Sequence, residues 1–218
     1  MQTRLSVKKM ILLAMLAATA YIMVALIRIP VVAVPPLNYE PKDVVITIGG
    51  FMLGPMAAFI ISLVVSLVEM VTISTTGPIG AVMNLLSTCS FACTAALIYK
   101  KKHDIWGAVV GLVCGAAAMV SVMILWNWLV TPIYLGYPRA AVEAMLIPVF
   151  LPFNALKGGL NTALVLGLYK PLTNALRKSR LLPESNSSPK KAKPGVYVLA
   201  GALLVTCVLL LLVMKGII

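Results

Sequence analysis

From Val196 to Met214 the chain runs nineteen residues without a charged side chain, about the length of helix that crosses a hydrocarbon layer roughly 30 Å thick. It is one of several such runs. Met10–Ile29, Pro55–Ile73, Ala81–Tyr99, Ile105–Val130 and Leu146–Leu168 are each long and apolar enough to span. With 61% hydrophobic residues, 11% charged ones and a mean hydropathy of +1.03, the composition lies well outside that of soluble domains. The fold class is an all-α integral membrane protein, multi-pass in the cell membrane, with the lipid bilayer as its solvent.

A net charge of +12 raises nucleic acid as a partner, but the basic residues cluster at the ends of apolar runs, as the positive-inside rule expects. No nucleic acid partner is expected. If the N-terminus is cytoplasmic, thirteen of the eighteen Lys and Arg fall inside: Arg4, Lys8 and Lys9, then Lys100 to Lys102, then seven from Lys170 to Lys193. The C-terminus is external if the last run spans. A cleaved signal peptide would look similar at its start, but the length of Met10–Ile29 and the lack of a cleavage site favour a retained helix.

Pro30–Asp43 holds four prolines and the polar residues Asn38, Tyr39, Glu40, Lys42 and Asp43, and reads as an ordered loop. Val44–Leu53 is too short to span, and Gly54-Pro55 turns the chain into the third helix. Glu69 lies near the far end of that helix, where water is expected close by, and does not read as a buried coupling carboxylate. Thr131-Pro132 ends the fifth helix, with Ile133–Pro138 as a loop. Leu182–Pro194 is rich in Ser, Pro and Lys, as a cytoplasmic linker would be. The expected organisation is a six-helix membrane domain over 1–181, a linker over 182–195 and an additional C-terminal transmembrane helix in 196–218.

Within Leu146–Leu168 stand Asn154, Lys157 and Asn161, which fall within roughly 60° of one another around a helix. A charge at the centre of a span costs about 2.5–3.5 kcal/mol, and residues that carry this cost usually face a cavity, a pathway or a ligand. Snorkelling of Lys157, or amide bonds to neighbouring helices, is the alternative. Under it, an apolar replacement of Lys157 relieves a burial cost; under the ligand reading, it leaves a ligand acceptor unpaired. Asn84 near the start of the fourth helix, and Asn127 between Trp126 and Trp128, add further amides. Ala14 and Ala18 form a small-xxx-small pair that lets another helix approach closely.

The sequence lacks a G-x-x-x-x-G-K-S/T phosphate loop and any nucleophile-base arrangement or carboxylate pair within the membrane. Cys89, Cys93, Cys114 and Cys207 lie in apolar segments without ligand-type spacing to His103, so no metal site is expected. Nothing points to catalysis or a cofactor. Lys157 is the one clearly central charge, and the chain reads as a binder energised from outside.

Three stretches, LNYEPKDVVITIGGFMLGP (Leu37–Pro55), TPIYLGYPR (Thr131–Arg139) and LPFNALKGGLN (Leu151–Asn161), resemble the riboflavin-specific S-components of energy-coupling factor (ECF) vitamin transporters. The resemblance covers nearly all of residues 8–180. It implies six helices that bind riboflavin on the outer side, with uptake driven by a transmembrane coupling protein and two ATPase subunits. It further implies that Asn127, Asn154 and Lys157 contact the flavin ring, that Pro30–Asp43 covers the site, and that Ala14 and Ala18 belong to the face docking on the coupling protein. Asn161, Asn84 and Trp128, with Asn38 and Tyr39 from the loop, complete the candidate contacts. An S-component for folate, thiamine or a queuosine precursor is the nearest alternative, and a membrane enzyme the next. The seventh helix departs from the family's six.

Overall fold

The computed structural model describes residues 7–32, 37–74, 76–178 and 194–217. Helix α1 (Val7–Leu26) leads into a hairpin of β1 (Ile29–Val32) and β2 (Leu37–Tyr39), followed by α2 (Lys42–Leu53), α3 (Pro55–Thr72), α4 (Gly77–Lys101) and α5 (Ile105–Leu135). Then α6 (Arg139–Met145) runs through one π-helical turn, Leu146–Phe150, into α7 (Leu151–Lys178), and α8 (Pro194–Met214) follows. Among the described residues six rods are long and apolar enough to cross a membrane: α1, α3, α4, α5, the α6–α7 rod and α8. At twelve residues, α2 is only about 18 Å long and falls short.

That short helix is nonetheless the centre of the bundle. Nine of its twelve residues are buried, and it packs against α1, α3, α4 and α7. It stops because Gly54 takes φ +96°, which a residue with a Cβ adopts only with strain, and because Pro55 then starts α3 with its φ already set. The closest helix pair is α4 with α5. A Cβ on Gly115 would lie 2.5 Å from the Phe91 carbonyl oxygen and one on Gly111 2.7 Å from that of Ala95, so glycine there is what lets the two backbones touch.

Three boundaries differ from the sequence reading. Pro30–Asp43 is not all loop: Ile29 pairs with Tyr39 and Pro30 with Asn38 in an antiparallel ladder, which a proline can join where no partner needs its missing N–H. Lys42 and Asp43 belong to α2. Helix α5 continues through Pro132 to Leu135 and ends at Gly136, whose φ is +67°. So near a C-terminus, the bond a proline removes is a small loss against continued packing. The sixth span starts at Arg139 rather than Leu146, and Pro148 is taken into the rod by the π turn, a place where the missing N–H is tolerated.

Helix α8 lies antiparallel along α7. Ala200 joins a buried cluster with Val165 and Leu166, whereas Cys207 joins one with Phe153, Leu156 and Leu160, against which Leu210, Leu211 and Met214 pack. A Cβ on Gly159 would come within 2.6 Å of Cys207 Sγ. The added helix is therefore seated on the six-helix body; of the linker expected over 182–195, residues 182–193 lie outside the described residues and Pro194 and Gly195 already belong to α8.

Candidate functional site

Pro41 precedes α2 and turns its first two residues into the bundle, where each meets a separate set of charges. Asp43, fully buried, places Oδ2 3.1 Å from Lys157 Nζ and accepts from Asn161 Nδ2 at 3.2 Å and, through Oδ1, from Thr88 Oγ1 at 2.6 Å. Lys157 also donates to Ser87 Oγ at 3.3 Å. Asn161 Oδ1 accepts in turn from the Tyr39 hydroxyl at 3.0 Å. Burial, with the Asp43 carboxylate beside it, pushes the Tyr39 phenol well above its usual range, which keeps it a donor. One carboxylate thus ties α2, α4, α7 and β2 together. It also sits in the first turn of α2, where the helix dipole favours an anion.

Lys42 turns the other way. Its Nζ lies 2.6 and 2.7 Å from the two Glu69 oxygens and 2.8 Å from Glu40, whose other oxygen is 3.1 Å from Arg28 Nε. Asn84 Nδ2 adds a bond to Glu69 Oε2 at 3.1 Å. Arg28, Lys42 and Lys157 are matched by Glu40, Asp43 and Glu69, so the two linked sets carry no net charge. A balanced, fully bonded network is the form in which buried charge is tolerated.

Two expectations are corrected here. Glu69 is 1% exposed and ion-paired: Lys42 and Asn84 cover its carboxylate, which the position of Glu69 along its own helix does not reveal. Lys157 is not the one central charge, because Asp43 answers it. Nor does an apolar residue at 157 simply relieve a burial cost, since it would leave Asp43 buried without its cation.

The stripe on α7 is buried as a unit: Asn154 at 2% exposure, Lys157 at 7% and Asn161 at 0%. Asn154 donates back to the Phe150 carbonyl at 2.8 Å, an acceptor close to the π turn. Asn127 is buried on α5, donates to Met123 O at 2.7 Å and accepts from Thr131 at 2.9 Å. Asn84 and Tyr39 join the charge network. Trp128 does not: it is 37% exposed, donates to Glu143 at 3.0 Å and stacks under Arg139. Asn38 is exposed on the hairpin. Ala14 and Ala18 lie on the exposed side of α1, opposite Leu12, Leu13 and Leu16 in the core.

Arg28, Glu40, Lys42, Asp43, Glu69, Ser87 and Thr88 are the members that reading the sequence missed. The polar groups bond one another, and the nearby cleft at Gly80, Trp126 and Thr131 is only about 30 Å³, against the several hundred a vitamin-sized ligand fills. A larger cleft, about 220 Å³, is lined by Gly54, Tyr99, Lys100 and His103 at the opposite end of α4, away from these groups.

Comparison with known proteins gives the family. Residues 8–169 match the family described as ECF transporter, substrate-specific component. The riboflavin transporter RibU of Staphylococcus aureus (strain TCH60) is 30% identical over 78% of this chain and 93% of its own. The riboflavin transporter FmnP of Bacillus subtilis (strain 168) is 26% identical over 71% and 86%. A solved structure of the S component of a bacterial ECF transporter superposes with a TM-score of 0.66 at 30% identity, covering 78% of this chain and 98% of that one. The chain belongs to the substrate-specific components of ECF transporters.

Proposed function

We propose that this chain captures riboflavin at the outer face of the cell membrane and carries it through in complex with a transmembrane coupling protein and two ATPase subunits. The observation that carries the proposal is the extended similarity to two riboflavin transporters, coupled with a buried stripe of two amides and a lysine on α7. An isoalloxazine ring has a flat apolar face and an edge of carbonyl and imide groups. Asparagine offers both a donor and an acceptor to such an edge, and lysine offers donors.

Asn127, Asn154 and Lys157 take the ring edge in this reading. Asn161 and Tyr39, linked to Lys157 through Asp43, and Asn84, bonded to Glu69, complete the candidate contacts, with Asn38 and Trp128 at the rim. The hairpin β1–β2 covers the site. The distribution of Lys and Arg supports a cytoplasmic N-terminus and Lys100–Lys102 loop, with the hairpin and the C-terminus of α8 outside. ATP is hydrolysed by the partners, since the chain itself has no phosphate loop.

Uptake of labelled riboflavin into cells that lack their own transporter tests the proposal. Accumulation is expected when the chain is expressed with the coupling protein and both ATPases, and not with ATPases disabled in their phosphate loops. No accumulation with the intact module, or uptake of thiamine or folate in its place, would overturn it.

A further inference from the structure

We infer that α8 is a clamp on the hairpin, holding β1–β2 closed over the α7 stripe and so setting how fast ligand enters and leaves. The inference rests on the reading of that stripe as the flavin site. Helix α8 lies outside the segment that matches the family, residues 8–169, and the solved S component is covered almost completely by 78% of this chain. Helix α8 is thus an addition to the segment that matches the family.

Its placement is informative because it touches both parts of the closure. The buried cluster built on Phe153, Leu156 and Leu160 of α7 takes in Val31 and Tyr39 of the hairpin together with Cys207 of α8. Leu210, Leu211 and Met214, the last turns of α8, pack on that same cluster, as do Ile29, Val32 and Leu37. Helix α8 also makes direct contact with β1. The hairpin is two short strands, which are marginal on their own; what fixes it is this apolar cluster and the Tyr39–Asn161 bond. That bond ends on a stripe residue, so lifting the hairpin frees Asn161 and opens a way to Lys157. Meanwhile the first turns of α8 anchor elsewhere, Ala200 packing with Val165 and Leu166, which leaves the far end free to bear on the hairpin.

If opening gates exchange, weakening the clamp raises entry and exit rates together and alters affinity little, because the open state is passed in both directions. Loss of a few apolar contacts changes the open population by roughly five- to thirtyfold. If α8 served stability alone, weakening it would lower the melting temperature and leave both rate constants as they were.

The test compares the full chain, a truncation after Leu181, and the variant Leu210→Ala/Leu211→Ala/Met214→Ala, which keeps the helix if the truncation folds poorly. Riboflavin association and dissociation are followed by stopped-flow fluorescence, and hairpin opening by hydrogen exchange of the amides of Ile29, Val31, Val32 and Leu37–Tyr39 without ligand. The clamp predicts that both rate constants and hairpin exchange rise in each altered protein. Unchanged rates and unchanged hairpin exchange would overturn it. Faster hairpin exchange in a chain that fails to bind riboflavin would keep the clamp and reject the flavin site.

Discussion

Replacing Lys157 with methionine separates the roles of this residue in folding and in binding. The ammonium lies 3.1 Å from Asp43 Oδ2, and Asp43 has no solvent exposure. Removing one partner of a buried ion pair costs about 3–5 kcal/mol, because the other charge stays behind. Thr88 and Asn161 still donate to Asp43, so the lower end of that range is expected. Against a total stability of about 5–15 kcal/mol this is a large loss. Adding Asp43→Asn removes the orphaned charge while keeping an acceptor for Thr88, and the double variant should regain most of the lost stability. It should not regain binding. A ligand acceptor left without its donor costs about 1–3 kcal/mol, or roughly one to two decades in Kd. Thermal unfolding of the detergent-solubilised variants gives the first quantity and quenching of riboflavin fluorescence the second. Stability losses that simply add in the double variant would refute the coupling of Lys157 to Asp43. An unchanged Kd in the double variant would refute the ligand contact.

Three further outcomes follow from the same geometry. Lys42→Met leaves Glu69 without a cation while Glu40 keeps Arg28, whereas Glu69→Gln leaves Lys42 its bond to Glu40; the first should therefore cost about 3–5 kcal/mol and the second clearly less, and equal shifts in melting temperature would contradict the network. Ala14→Trp/Ala18→Trp places bulk on the exposed face of α1, so energised uptake should be abolished with riboflavin binding intact, and normal uptake would remove this face from docking. In intact cells an impermeant thiol reagent should label a cysteine at Tyr137 and not one at Lys101; the reverse pattern would invert the topology.

The spans were legible because length and apolarity are properties of a segment by itself, and lipid permits little else. The stripe was legible for a related reason: Asn154, Lys157 and Asn161 share one helix, so their spacing alone puts them on one face. What could not be read is whatever depends on a partner far along the chain. Asp43 looked like a loop residue because Pro41 and Glu40 stand beside it, yet the turn at Pro41 carries it under α7, 114 residues away in sequence from Lys157. The burial of Glu69 is hidden in the same way, since the groups that cover it, Lys42 and Asn84, stand 27 and 15 residues away. Trp128 sits next to Asn127 in sequence but about 100° away around the helix, which is enough to turn it toward Glu143. The packing of α8 on α7 left a faint mark at Gly159, opposite Cys207, that a lone glycine among apolar residues does not disclose.

The central claim is that this chain alone recognises riboflavin, and a titration of the purified, unmodified protein with riboflavin tests it most directly. Flavin fluorescence should be quenched until the ligand is equimolar with the protein, and excess thiamine or folate should not restore it. Absence of quenching by well-folded protein, or restoration by either of the other vitamins, would contradict the account.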